Sequence, residues 1–384
     1  MARAGANVLL VSAIPREAFQ VGESLVPAAQ NILEALDLGE GILTGEHLPS
    51  YGNASAWGSL QLVHTDFIRS AYGHGWHLNR PSFDTVLRRM AEESGATVFN
   101  CAKLLWFQRN QSDWQLTLKT REGLTEVTCE WLIDCTGRSH RVARCLGNKR
   151  HYEDKLLAFY TRFRPHKNAE EDLDSCTLVE SVPQGWFHTA LLPSGERVVT
   201  FFTDAGTPWV KDARSPKGFL RLIEDTVHIS LKLEAHRYAV SANLRSTDAR
   251  SSYLERFYGE RWLAAGDAAT TFDPLSSQGI FSALYSGLKA GNALVEHLHG
   301  DREALPHYHF VVSNVYDRFL DNLRKCYSYE RRWLDSPFWQ ARTGVPHPKF
   351  IADSSPFVRY MSRRRSHLGD SSSEGVCHSM NNKM

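Results

Sequence analysis

The stretch Trp262-Leu-Ala-Ala-Gly-Asp-Ala-Ala-Thr-Thr-Phe-Asp-Pro-Leu-Ser-Ser-Gln-Gly-Ile-Phe-Ser-Ala-Leu-Tyr-Ser-Gly-Leu-Lys-Ala-Gly291 decides the reading of this chain. It opens as a short apolar strand, turns at Gly266-Asp267, breaks at Asp273-Pro274 and continues as a helix rich in small residues. Gly266 lets the backbone come close to a ligand, and Asp267 sets a carboxylate at the strand's exit, where it can accept hydrogen bonds from a polyol. Gln278, Gly279 and Ile280 enter the helix, where unpaired N–H groups and the helix dipole favour an electron-rich group. Ser282, Ala283, Ser286, Gly287, Ala290 and Gly291 recur through that helix and let something flat, or another backbone, pack close.

Upstream, Asn7 to Val11 reads as a strand, and Leu25 to Leu38 carries apolar residues at helical spacing. Between them, Gly22-Glu23-Ser24 is either a helix cap or a set of polar contacts to a ligand edge. Residues 41–60 read as an irregular loop. Ser82 is expected to cap an amphipathic helix whose Phe83, Val86, Leu87 and Met90 share a face and which Gly95 closes. Thr97 to Cys101, Leu104 to Arg109, Trp114 to Lys119 and Glu126 to Ile133 alternate as strands of a meander. From about 150 to 250 longer β-type runs take over, at Leu156–Phe163, Trp186–Leu192 and Arg197–Thr203, with one amphipathic helix around Phe219, Leu220, Leu222 and Ile223. Two long helices, near 278–298 and 303–326, and an aromatic segment with Trp333, Phe338 and Trp339 complete the pattern.

Taken in order, Gly22-Glu23-Ser24-x-x-Pro27, Arg80 at the start of a helix, Asp134-x-Thr136-Gly137-Arg138 at a strand end, and the 262–291 stretch resemble the FAD-dependent monooxygenases and tryptophan halogenase-like flavoproteins. The resemblance implies FAD as cofactor, with Gly22, Glu23, Ser24, Arg80, Gly266, Asp267, Gln278, Gly279 and Ile280 meeting it. Tyr51 to Gly58, Gly75-Trp76-His77-Leu78 and Tyr329 to Trp333 are similar to the monooxygenase branch, which includes flavoproteins that mature protein-derived quinone cofactors. Gly185-Trp186-Phe187-His188-Thr189-Ala190-Leu191-Leu192-Pro193 stands where halogenases carry Trp-x-Trp-x-Ile-Pro, but His188 replaces the second Trp and a residue is inserted. The region from Gly22 to Arg80 holds no lysine to steer hypohalous acid, which argues against a halogenase.

Such flavoproteins open with a strand, a Gly-x-Gly-x-x-Gly turn and a helix that holds the pyrophosphate. Here Met1 to Asn7 resembles the last turn of that helix, so the first βα unit is absent, and Ser12 stands where an acidic residue would meet the ribose. The sequence is then either a piece of a longer flavoprotein or a degenerate relative that is not catalytic, and as given it is expected to hold FAD weakly.

The expected architecture is α/β: a Rossmann-like FAD-binding domain, lacking its first βα unit, interleaved with a β-rich substrate domain, plus C-terminal helices. Residues 1–150 and 251–300 form the FAD-binding parts, 151–250 the substrate domain, 301–345 a helical and aromatic segment, and 346–384 a disordered tail. The resemblance implies reduced flavin reacting with oxygen to a C4a-hydroperoxide that hydroxylates an electron-rich aromatic substrate, a small molecule or a peptidyl tryptophan- or phenol-like ring. NAD(P)H or a flavin reductase would supply electrons; halogenation is the alternative. His74, His77 and His188 are candidate acids or bases because imidazole titrates near neutrality, and each has a structural reading as well.

The balance of 44 basic and 43 acidic residues, a net charge of +1, gives no reason to expect nucleic acid as partner. No apolar run approaches the roughly 20 residues of a membrane helix. Seven cysteines without CxxC or zinc spacing read as reduced thiols of a cytoplasmic protein, with no metal site.

Overall fold

The computed structural model describes residues 1–343 apart from 14–18, 20, 39 and 44; the tail expected over 346–384 lies outside the described residues. Its centre is an eight-stranded sheet. The strand order is Ala239–Val240, Leu156–Arg164, Arg197–Asp204, Gly185–Leu191, Thr177–Val182, Gly52–Ala56 and Val63–Asp66, with Arg245–Asp248 also paired to Leu156–Arg164. Neighbours are antiparallel except Thr177–Val182 with Gly52–Ala56, which run parallel.

Two of these strands come from the 41–60 region and its sequel, which the sequence presents as a loop. Gly52-Asn-Ala-Ser-Ala has few strand-forming residues, yet alternate positions are buried, and pairing on both sides holds it extended. Strands 52–56 and 63–66 therefore join the sheet that the sequence places in 151–250. One face of this sheet packs Phe159, Phe163, Phe187, Val199 and Phe201 against Phe219, Leu222, Ile223 and Ile229 of the covering helices.

The remaining sheets are small. Leu9–Val11 runs parallel to Thr97–Phe99, and Leu132–Asp134 runs parallel to Trp262–Ala264. Strands Lys103–Arg109, Trp114–Lys119 and Leu124–Cys129 form the antiparallel meander. The run expected as one strand over Glu126 to Ile133 is two, because Leu132–Asp134 leaves the meander to pair with Trp262–Ala264.

Helix Gly279–Leu298 lies beside that strand, its small residues Ala290 and Ala293 packing with Leu263, Ala264 and Tyr308 in one cluster. Tyr308 of helix Ala304–Ser328 donates its hydroxyl proton to the Ala264 carbonyl at 2.6 Å. The helix expected from Leu25 shortens to Ala29–Ala35, since Ser24–Leu25 pairs with Gly75–His77 as a strand. Helix Arg80–Glu93 is capped by Asn79, whose side chain accepts from Ser82 N; Ser82 lies inside the first turn rather than at the cap.

Candidate active site

The fold brings the four stretches singled out in the sequence together. Gly22 takes φ +102°, where only glycine is unstrained, and donates its N–H to Glu23 Oε2 at 2.9 Å. Its carbonyl accepts from Arg80 Nη1 at 2.8 Å, so the start of helix Arg80–Glu93 is tied to the Gly22-Glu23 turn. Arg80 also pairs with Asp84 at 3.4 Å, and its charge reaches Asp267 from across the site.

Gly266, at φ +60°, donates its N–H to Ser286 Oγ at 2.8 Å, which pins the turn to helix Gly279–Leu298. Burial raises the pKa of the Asp267 carboxyl, a shift opposed by Arg138, Arg150 and Arg80. Arg138 approaches it to 3.6 Å, and Arg150 donates to the Asp267 carbonyl at 2.9 Å. Asp134 does not face this group: its carboxylate closes its own turn by accepting from Thr136 N, Thr136 Oγ1 and Ala143 N.

Gln278 precedes the first turn of helix Gly279–Leu298 and makes no side-chain cap; a Cβ built on Gly279 would meet open space. Ile280 packs with Leu25, Ala29 and Phe83, which joins this helix end to the Glu23 side. Ser24 Oγ and Ser282 Oγ are buried with no hydrogen-bond partner among the described residues. Two glycines at positive φ, an open helix start, two unpaired hydroxyls, one carboxylate acceptor and three arginines form a donor set that fits a flavin dinucleotide.

Beyond Glu23 lies the sheet face opposite the phenylalanines. Glu23 is 1% exposed, and its carboxylate stands 3.8 Å from His188 Nε2. Burial and the Arg197 charge push the His188 pKa down to about 4. His77, fully buried, is also lowered to about 4, chiefly by desolvation, with Glu23 opposing. Both His77 nitrogens are engaged, Nδ1 with the Leu191 carbonyl at 2.7 Å and Nε2 with Thr177 Oγ1 at 3.0 Å, which leaves neither for a substrate. His74 packs elsewhere, edge-on to Tyr51 and Trp76. Arg138 belongs to a motif that the sequence does not by itself tie to the Asp267 turn, and Arg150, which joins it there, carries no sequence signal.

Residues 23–322 match the family described as FAD binding domain. The chain belongs to that family. LodB of Marinomonas mediterranea, described as an FAD-dependent oxidoreductase, is 29% identical over 331 residues, covering 84% of this chain and 86% of LodB. Flavin-dependent halogenases recur among the other relatives. In fold, the flavoprotein resembles the myxobacterial chondrochloren halogenase CndH, with a TM-score of 0.79, 23% identity and coverage of 96% and 87% of the two chains. It also resembles the peptidyl tryptophan dihydroxylase QhpG, with a TM-score of 0.67, 22% identity and coverage of 92% and 78%. It is an FAD-dependent oxidoreductase with halogenase-like relatives. Among the described residues, no helix is long and apolar enough to cross a membrane.

Proposed function

We propose that this flavoprotein is a monooxygenase that hydroxylates an electron-rich aromatic ring, with His188 as the proton-handling group. In this reading Gly22, Glu23, Ser24, Arg80, Gly266, Asp267, Gln278, Gly279 and Ile280 hold FAD, and residues 151–250, with strands 52–66, supply the substrate side. When bound and reduced, by NAD(P)H or a flavin reductase, the flavin supplies activated oxygen.

The observation that carries the reading is His188 itself, which stands in place of a tryptophan and 3.8 Å from a buried carboxylate. With a pKa near 4 its imidazole is neutral at pH 7, so Nε2 can accept the proton of a phenol or indole as the ring is attacked. Burial and the Arg197 charge disfavour the imidazolium, and Glu23, 3.8 Å from Nε2, is the carboxylate to which that proton can pass on. Asp267 accepts from hydroxyls of the cofactor, and Arg80 and Arg138 offset its charge. Support against halogenation comes from the lysines: the first in the chain is Lys103, on a strand of the meander. QhpG, described as a peptidyl tryptophan dihydroxylase, is a neighbour in fold whose chemistry agrees with this reading.

The test supplies reduced flavin, oxygen and bromide with phenol- and indole-type substrates and reads products by mass. One added oxygen atom is expected, and a brominated product dependent on the protein would overturn the proposal. His188→Phe is expected to lower turnover about 100-fold, the usual scale of general-base loss, while its affinity for added FAD is unchanged. In a titration with added FAD, Asp267→Ala is expected to raise the concentration for half-saturation at least 10-fold, whereas Cys135→Ala leaves it unchanged; equal shifts in both would show the cofactor residues to be misassigned.

A further inference from the structure

The same sheet face continues past His188 to a cavity of about 270 Å³. Its walls include Tyr160 and Arg162 of strand Leu156–Arg164, Arg245 of strand Arg245–Asp248, which is the direct partner of Tyr160, Ser241 and Asn243 just before that strand, and Phe19. Arg162 donates from Nη1 to Glu196 Oε2 at 2.5 Å, and Arg164 donates to Glu196 Oε1 at 3.0 Å. Arg245 is exposed and has no ion-pair partner among the described residues. Arg162 and Arg164 share the one Glu196 carboxylate, and Arg245 adds an unpaired guanidinium to the cavity wall, so positive charge is in excess there. Ser241 donates its N–H to the Arg162 carbonyl, while its hydroxyl is buried without a partner among the described residues. The Phe19 and Tyr160 rings lie 6.2 Å apart, and the Arg162 guanidinium sits 5.0 Å from the Phe19 ring centre. Cationic groups, an unpaired hydroxyl and aromatic walls together suit an anionic group carried on a flat, apolar body.

Register connects this cavity to the proposed reaction centre. Tyr160 is the direct partner of Thr200, and Thr200 is the direct partner of His188. Two strand spacings of about 4.8 Å put the Tyr160 and His188 backbones about 10 Å apart. That is the reach of a fused bicyclic ring with a short acidic arm.

We propose that this cavity binds the carboxylate of an aromatic acid, with Arg245 and Ser241 contacting the carboxylate and Tyr160 flanking the body that extends toward His188. Only the chemistry at His188 rests on the monooxygenase reading; the binding stands by itself. A planar carboxylate can take two parallel bonds from one guanidinium, whereas an amide of the same shape cannot satisfy the surplus charge.

Calorimetric titration of the full chain with indole-3-acetate, indole-3-acetamide and inorganic phosphate tests it. The acid is expected to bind at least 10-fold more tightly than the amide, and Arg245→Ala to weaken the acid about 10-fold without touching the amide. Ser241→Ala is expected to weaken the acid roughly 3-fold. Arg245 is exposed, so an unchanged near-UV circular dichroism spectrum will certify the variant's fold. Equal affinity for acid and amide, no effect of Arg245→Ala, or phosphate competing at the acid's own concentration would each overturn the proposal. Arg245-dependent binding of an acid that is never oxygenated would leave this pocket standing and remove the monooxygenase reading. Oxygenation of the acid with an unchanged KM in Arg245→Ala would do the reverse.

Discussion

Two adjacent rows of the central sheet, one residue out of step, carry opposite chemistry. Phe159, Phe201 and Phe187 are direct partners across three strands, and their row continues to Glu180. All three rings are at most 1% exposed and pack on the covering helices. Even Glu180 is satisfied there, since its carboxylate accepts from the N–H groups of His228 and Ile229 at 3.0 Å. The next row is Tyr160, Thr200 and His188. It faces Glu23, keeps the Thr200 hydroxyl buried without a partner among the described residues, and holds a histidine neutral. One face is closed by apolar packing and satisfied polar groups. The other packs Leu156, Ala158, Trp186 and Phe202 in an apolar cluster of its own, but in the His188 row it retains polar groups that a well-packed core would exclude, as expected where a ligand is to complete them.

The contrast can be broken most forcefully from the apolar side. Phe187→Ala, at a fully buried ring between Phe201 and Phe219, is expected to cost about 3–5 kcal/mol of stability in urea unfolding, through lost burial and the cavity left behind. A loss below about 1 kcal/mol would mean that this face is not the stabilising one.

A middle-sized effect should come from the polar face and depend on pH. The folded pKa of His77 is about 4, below the ordinary value of about 6.5, so the unfolded chain binds more protons between those limits. Its contribution is therefore fully present above about pH 6.5 and is lost as the pH falls toward 4. His77→Gln should remove roughly 2 kcal/mol of the stability difference between pH 8 and pH 5, read from urea midpoints at both values. An unchanged pH profile would place the acid sensitivity elsewhere.

The smallest effect sharpens the comparison. Thr200→Val keeps the shape and removes an unpaired buried hydroxyl, so it is expected to raise stability by about 1 kcal/mol. The same change at Thr189, whose hydroxyl donates to the Val198 carbonyl at 2.7 Å, should lower stability by about the same amount. Thr200→Val and Thr189→Val shifting in the same direction would show that the two hydroxyls are equivalent.

By itself the sequence determined those parts of the protein whose signals are local. Strand Trp262–Ala264, the Gly266-Asp267 turn, the Asp273-Pro274 break and helix Gly279–Leu298 succeed one another along a single short stretch, so periodicity, glycine freedom and a proline stop sufficed to mark them. The long strands at 156, 185 and 197 were legible for the same reason, being rich in aromatic and β-branched residues. Only the tertiary structure decided what depends on partners far away in the chain. Gly52–Ala56 is a strand because Thr177–Val182 and Val63–Asp66 pair with it, and not by composition. His77 became an interior hydrogen-bonding residue because Leu191 and Thr177 arrive from 114 and 100 positions downstream, while the similar His188 was left facing Glu23. A residue's type states which bonds it can make; whether a partner already occupies them is settled by packing, and that occupancy separates a structural histidine from a candidate base.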